Sequence, residues 1–333
     1  MWNTVGHDRE TGLFARSLEA GRLFHAYLLS GPLGIGKMTL ALDLARAVNC
    51  TGDALPCGEC GQCQRIARGI HTDVRIVSRD SDENGDRRLV ISIDQIRGVQ
   101  REAKLKPYES LFRVFIFDGV EDLSEEASNC LLKTLEEPPD QVLLILLASG
   151  KGGLPPTLIS RCQVVDLRPT PLTIISQILL ERFEITQEVA DEIARLSRGR
   201  MGWAIDVASS PKKLHSIREK FDAIEEIVKS GIESRFSYAT ELADILGRDR
   251  DVGMSELDLW LVWWRDVLLV KGGGEEFITL LSRTRSLRFV AGSLSSSQVV
   301  GAVNDIRDIV NRAQVNVNLR LVLERMMLLL PRI

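Results

Sequence analysis

The chain has 333 residues, 44% of them hydrophobic and 26% charged, and its 42 basic against 46 acidic residues give a net charge of −4. That length accommodates two or three domains with separate cores. The near balance of charge excludes a broad DNA-coating surface, so any nucleic-acid contact has to come from a local basic patch. The longest apolar runs, Val142 to Ala148 and Leu257 to Trp264, are too short to span a bilayer. The N-terminus lacks the basic-then-apolar layout of a secretion signal, which leads to the expectation of a cytoplasmic protein without membrane contact.

The first half alternates strand-like and helix-like segments. Ala26 to Ser30 is a short apolar run, and Lys37 to Val48 has helical periodicity. Val74 to Ser78 and Leu89 to Ile93 read as strands, separated by a charged loop from Arg79 to Arg88. Arg113 to Asp118 is a strand ending in an acid, and Ser124 to Glu137 is a helix capped by Ser124 and stopped by Pro138-Pro139. Val142 to Ala148 is continuously apolar, as a strand buried on both faces should be. Such alternation predicts a parallel sheet flanked by helices over residues 1–168. After Pro169 and Pro171 only helices are expected. Ile174 to Phe183, Thr186 to Ser197 and Met201 to Ala208 make a small three-helix unit (169–210). An all-helical domain then fills 211–333, with Asp258 to Val270 and Val317 to Leu330 its most apolar stretches.

Gly31-Pro32-Leu33-Gly34-Ile35-Gly36-Lys37 sits between a strand and a helix, where a phosphate loop belongs. Gly31, Gly34 and Gly36 let the backbone turn its N–H groups inward, and Lys37 supplies a charge for terminal phosphates. The position after the lysine needs a hydroxyl to ligate magnesium. It is Met38, whose thioether is a poor ligand for a hard cation. Thr39 follows one residue too late, turned away by roughly 100° on a helix. ATP or ADP occupancy therefore stays open. Asp118 ends a Walker B-like strand, but Gly119 stands where a glutamate would polarise water. Glu121 lies close in sequence with no evident reason to face the site.

Cys50-x6-Cys57-x2-Cys60-x2-Cys63 offers four thiolates around tight turns at Gly58 and Gly61. Four sulfurs suit a tetrahedral structural Zn(II) with no open position for catalysis. An iron–sulfur cluster is the alternative, although the x3-Cys-Pro completion is missing. Cys130 and Cys162 read as small buried apolar residues.

Several strings taken together resemble a known family. They are His25-Ala26-Tyr27-Leu28-Leu29-Ser30-Gly31-Pro32, Gly69-Ile70-His71-Thr72-Asp73, Asn129 to Pro139 (Asn-Cys-Leu-Leu-Lys-Thr-Leu-Glu-Glu-Pro-Pro) and Ser160-Arg161-Cys162. Their order resembles the bacterial DNA polymerase III clamp loader, an AAA+ assembly, and most of all its delta-prime branch. The resemblance is dense from Val5 to Pro169 and only architectural beyond. It implies an AAA+ P-loop domain with an inserted zinc module, a helical lid and a collar. It also implies that Arg161 reaches in trans to a neighbouring subunit's ATP, a role that suits a guanidinium. Ser149 falls near the family's sensor position, and Gly202 stands where active subunits carry a second sensor arginine. The helix bearing Arg97, Arg101 and Lys104, with Lys106 beyond it, would face duplex DNA and touch phosphates without sequence preference.

Met38, Gly119 and Gly202 alter three catalytic positions while Arg161 is kept. This pattern implies a non-motor subunit that helps load a sliding clamp on primed DNA and is itself a poor or inactive ATPase. Its partners would be the motor and clamp-opening subunits and the primed DNA, with direct clamp contact left open. The alternatives are a catalytically active motor subunit of the same kind or another AAA+ ATPase, and a zinc-containing nucleotide-binding module unrelated to replication.

Overall fold

The computed structural model describes residues 1–79, 90–313 and 318–333, which form two compact units. The first comprises Met1–Ile178 with Ser197–Ile205, the second Leu179–Leu196 with Asp206–Ile333. In chain order the first unit holds α1 (Asp8–Glu19), β1 (Ala26–Ser30), α2 (Lys37–Val48), α3 (Gly61–Ala67), β2 (Val74–Val77) and α4 (Ile93–Ala103). It continues with β3 (Arg113–Asp118), α5 (Glu125–Glu136), β4 (Val142–Ala148), α6 (Pro156–Ile159) and β5 (Gln163–Asp166). The strands form one parallel sheet in the order β2-β3-β4-β1-β5.

Why the middle of the sheet reads as unbroken apolar sequence is visible in its two cores. Leu144 and Leu146 of β4, Ala26 and Leu28 of β1 and Phe115 and Phe117 of β3 join one core with α4 and α5. The intervening Leu143, Ile145 and Leu147, Tyr27 and Leu29, and Val114 and Ile116 join the other with α1 and α2. Alternate side chains leave opposite faces of a strand, so a strand covered on both sides has no polar positions left. The covering helices follow their own period: Ala127, Leu131 and Leu135 on α5, and Leu40, Leu44 and Val48 on α2.

Helix ends fall where the capping residues put them. Ser124 accepts from the Ala127 N–H, and Ser92 and Gln95 form a reciprocal capping box at the start of α4. That box explains a miss. The strand expected over Leu89–Ile93 begins outside the described residues, and among the described ones Ile91 makes only an isolated bridge to Leu123, because residues 92–95 are committed to starting a helix. Apart from Arg79, the charged segment Arg79–Arg88 also lies outside the described residues.

The chain after β5 is helical: α7 (Leu172–Arg182), α8 (Gln187–Ser197), α9 (Met201–Ala208), α10 (Pro211–Lys229), α11 (Ile232–Arg248) and α12 (Arg250–Lys271), then α13 (Thr284–Ser293), α14 (Ser296–Ala313) and α15 (Leu319–Leu329). Val317, the expected start of the last apolar stretch, lies outside the described residues. In the second unit α11 packs on α15, and α12 packs on α13 and α14 around the buried Trp260, Trp263 and Trp264. Arg235 of α11 is buried there, with no carboxylate paired to it among the described residues. Its guanidinium instead donates to Ile227 and Val228 O at the end of α10 and to Met327, Leu330 and Pro331 O at the end of α15. Helix C-termini carry unpaired carbonyls and partial negative charge, so one cation satisfies two helix ends.

Candidate functional site

The phosphate-loop candidates lie at the C-terminal edge of the sheet, between β1 and α2, with Gly36 capping α2 in a left-handed conformation. Lys37 is folded back on its own loop, its Nζ donating to Gly31 O at 2.5 Å and Pro32 O at 3.1 Å. Burial lowers its pKa, and the carboxylates of Glu121 and Asp118 work against that shift. From the N-terminal segment, His7 Nε2 meets Ile35 O at 2.9 Å. Met38 turns into the core beside α2, and Thr39 is exposed to solvent. Met38 has no hydroxyl to offer beside Lys37.

Two of the altered positions disfavour the missing side chain, one through its backbone conformation and the other through a backbone contact. Gly119 follows β3 at φ +83°, a left-handed backbone that strains any other residue, and a Cβ there would stand 2.7 Å from Asp122 Oδ2 and so would also need that carboxylate to shift. Gly202, in the first turn of α9, lies on the phosphate loop itself. A Cβ would stand 2.8 Å from Gly34 O, while the next residue, Trp203, donates its N–H to that same oxygen at 2.8 Å.

Glu121 is the residue that sequence reasoning passed over. After the left-handed Gly119, a 3-10 turn (Val120–Asp122) swings it back to the sheet edge, where its Oε1 accepts the Ser149 N–H at 2.9 Å. It influences Lys37 more strongly than Asp118 does. A carboxylate thus stands at the sensor-like Ser149, although nothing in the spacing from Asp118 signals it.

The cysteine cluster follows α2. Sγ atoms of Cys50, Cys57, Cys60 and Cys63 all lie within 4.8 Å of one another, and together they can hold a metal ion such as zinc. The edge of a ZnS4 tetrahedron is about 3.8 Å. Cys50 and Cys60 stand 4.0 Å apart. The backbone is arranged for thiolates: Gly52 and Cys57 N–H donate to Cys50 Sγ, Cys60 N–H to Cys57 Sγ, and Cys63 N–H to Cys60 Sγ. A Cβ on Gly52 would press on Cys57 Sγ at 3.0 Å, so a larger residue there would push on the cradle. Among the remaining cysteines, burial pushes Cys162 up to about 12, as for a core thiol. Cys130 differs from the apolar expectation, since its half-buried thiol donates to Gln100 Oε1.

Beside the cluster, Gly69-Ile70-His71-Thr72-Asp73 is a structural knot. His71 Nδ1 accepts the Asp73 N–H, so its other nitrogen is the donor to Gln62 of α3, a neutral tautomer consistent with burial lowering its pKa. Asp73 accepts from Tyr108 N, Glu109 N and Ser110 Oγ, and its Oδ1 meets Arg113 Nη2 at 2.9 Å. Burial would raise this carboxyl, but those bonds outweigh it and hold it at about 2. A cleft of about 420 Å³ runs along β2 nearby, lined by Leu42, Ile66, His71, Val74 and Arg75, away from the phosphate loop.

Arg161 follows the short α6. Its Nη1 donates to Thr157 O at 2.8 Å, its Nη2 pairs with Glu136 Oε1 at 2.5 Å, and its side chain is 33% exposed. The basic candidates Arg97, Arg101 and Lys104 are exposed on α4, opposite its buried Ile96, Val99 and Ala103, and Arg97 is loosely paired with Asp94 at 3.4 Å. Lys106 is exposed just beyond.

Residues 6–171 match the family described as DNA polymerase III, delta subunit. Over 322 residues the chain is 28% identical to DNA polymerase III subunit delta' of Bacillus subtilis, covering 96% of this chain and 94% of that one. Subunit tau of the same organism is 32% identical over 289 residues, covering 81% of this chain but only half, 50%, of its own length. A DNA polymerase III gamma-subunit-related protein of Thermotoga maritima superposes with a TM-score of 0.48 at 16% identity over 96% of this chain and 98% of its own, too loosely to bear on function. Residues 6–171 thus belong to the DNA polymerase III delta subunit family, and the chain as a whole is a relative of the bacterial delta' subunit.

Proposed function

We propose that the chain is a non-motor subunit of a bacterial replicative clamp loader, working in the cytoplasm, which supplies Arg161 to the ATP site of a neighbouring subunit. The observation that carries this reading is steric. Positions 119 and 202 disfavour the side chains of an ATP-splitting site, 119 by a left-handed backbone and 202 by contact with Gly34 O. Arg161, in contrast, stands partly exposed just after α6. In this reading the AAA+ unit carries a structural zinc module, α7–α9 form the lid and the later helices the collar. Arg97, Arg101 and Lys104 give sequence-independent contacts to primed DNA.

The test is reconstitution with the ATP-hydrolysing subunits, clamp and primed DNA. Arg161→Ala lowers ATP turnover of the complex while assembly and folding stay intact, because an arginine facing the transferring phosphoryl group stabilises its charge. Unchanged turnover removes the role. Glu121 favours a second reading, an active ATPase in which that carboxylate replaces the one absent at Gly119. Brisk ATP hydrolysis by the isolated chain, abolished by Glu121→Gln, would select it.

A further inference from the structure

Glu136 is the last residue of α5, and Glu137 follows as its cap. Carboxylates are disfavoured at a helix C-terminus, where the backbone already presents partial negative charge. A sequence chosen for helix stability would place a cation there. What stands against Glu136 is instead the Arg161 guanidinium, brought over by α6, which packs on α5. Arg161 is held at two points. Nη2 rests on Glu136 Oε1, and Nη1 on Thr157 O, a carbonyl that also accepts the Ser160 hydroxyl at 3.0 Å. An exposed pair of this kind adds little to the stability of the fold. Its effect is on direction: two contacts from different elements fix the plane of a long, otherwise free side chain, and of five N–H donors three remain for another ligand.

We propose that Glu136 is the positioning residue of Arg161, holding the guanidinium extended and oriented so that its remaining donors meet the phosphates of an adjacent subunit's nucleotide. The inference rests on the trans role of Arg161 proposed above. An unanchored arginine would have to give up its rotamer freedom on every encounter, and a carboxylate that has already ordered it removes most of that cost. Glutamine at 136 keeps the length but loses the charge that holds Nη2. Aspartate keeps the charge on a shorter arm.

The experiment uses the reconstituted complex with clamp and primed DNA, and reads kcat and KM for ATP in Glu136→Gln, Glu136→Asp, Arg161→Ala and the double variant Glu136→Gln/Arg161→Ala. Glu136→Gln reproduces at least about half of the kcat loss of Arg161→Ala with KM unchanged, as expected when a reacting group is misplaced rather than removed. Glu136→Asp recovers part of that loss, and Glu136→Gln has no further effect in the Arg161→Ala background, since a residue acting only through another is fully coupled to it. If Arg161→Ala itself leaves turnover unchanged, the reading beneath the inference fails. If Arg161→Ala lowers turnover but Glu136→Gln matches wild type, exceeds it, or adds its full loss in the double variant, the positioning role alone is overturned.

Discussion

Replacing Asp73 by Asn tests whether this buried carboxylate holds the 108–113 segment to the sheet. The side chain is 1% exposed and accepts from two backbone N–H groups, one hydroxyl and one guanidinium. Asparagine keeps the shape, but turns an NH2 toward donors and leaves Arg113, itself mostly buried, without its counter-charge. Removing one member of a buried pair costs about 3–5 kcal/mol. The part due to ionisation follows from the pKa. A carboxyl held at about 2, against 3.8 ordinarily, contributes stability that is complete above the unfolded value and is lost as pH falls from about 4 toward 2. That part is worth roughly 2 kcal/mol at neutral pH. Tryptophan fluorescence would be dominated by Trp260, Trp263 and Trp264 of the second unit, so hydrogen exchange of the β1 and β4 amides is the better probe. A loss of about 3 kcal/mol speeds their exchange by about two decades when exchange goes through unfolding of the unit. The acid arm is read from urea midpoints between pH 4.5 and 2.5, where the variant should fall less steeply than wild type. Unchanged protection, or parallel acid slopes, would refute the account of Asp73.

Two further outcomes are expected. Purified protein should contain one zinc per chain, and Cys60→Ala should contain none and expose α3 to proteolysis; full-strength protection without metal would show that the cysteines need no ion. Arg235→Met should lower the melting temperature of the second unit, followed by tryptophan fluorescence, by about 6–12 °C, since about 3 kcal/mol is at stake in a unit of this size; a shift below about 2 °C would mean that the carbonyls of α10 and α15 find other donors.

What could be read from the sequence was what depends on local period and spacing. The apolar run at Val142–Ala148, the Ser124 cap, the glycine loop before Lys37 and the x2 cysteine spacing each specify their geometry within a dozen residues. What could not be read depends on the path of the chain afterwards. Glu121 looked idle because its direction is set by the backbone turn at Gly119. Asp73 looked like a motif residue, but the segment it holds lies about 35 residues later. Gly202 read as a lost arginine, whereas its contact with Gly34 makes glycine a steric requirement. Glu136 was visible as part of a motif and invisible as a partner of Arg161, because nothing in the string says that α6 brings the arginine beside it.

Cys50 lies two residues past the end of α2, the helix that Lys37 begins. A helix of 12 residues is about 18 Å long. The thiolate cradle and the glycine loop are therefore opposite ends of a single stiff rod, one pinned by sulfur and the other resting on His7 and Trp203. Between those ends Leu40, Leu44 and Val48 clamp the rod to the sheet, so a chemical change at the cysteines reaches the glycine loop only as far as that clamp lets the helix shift.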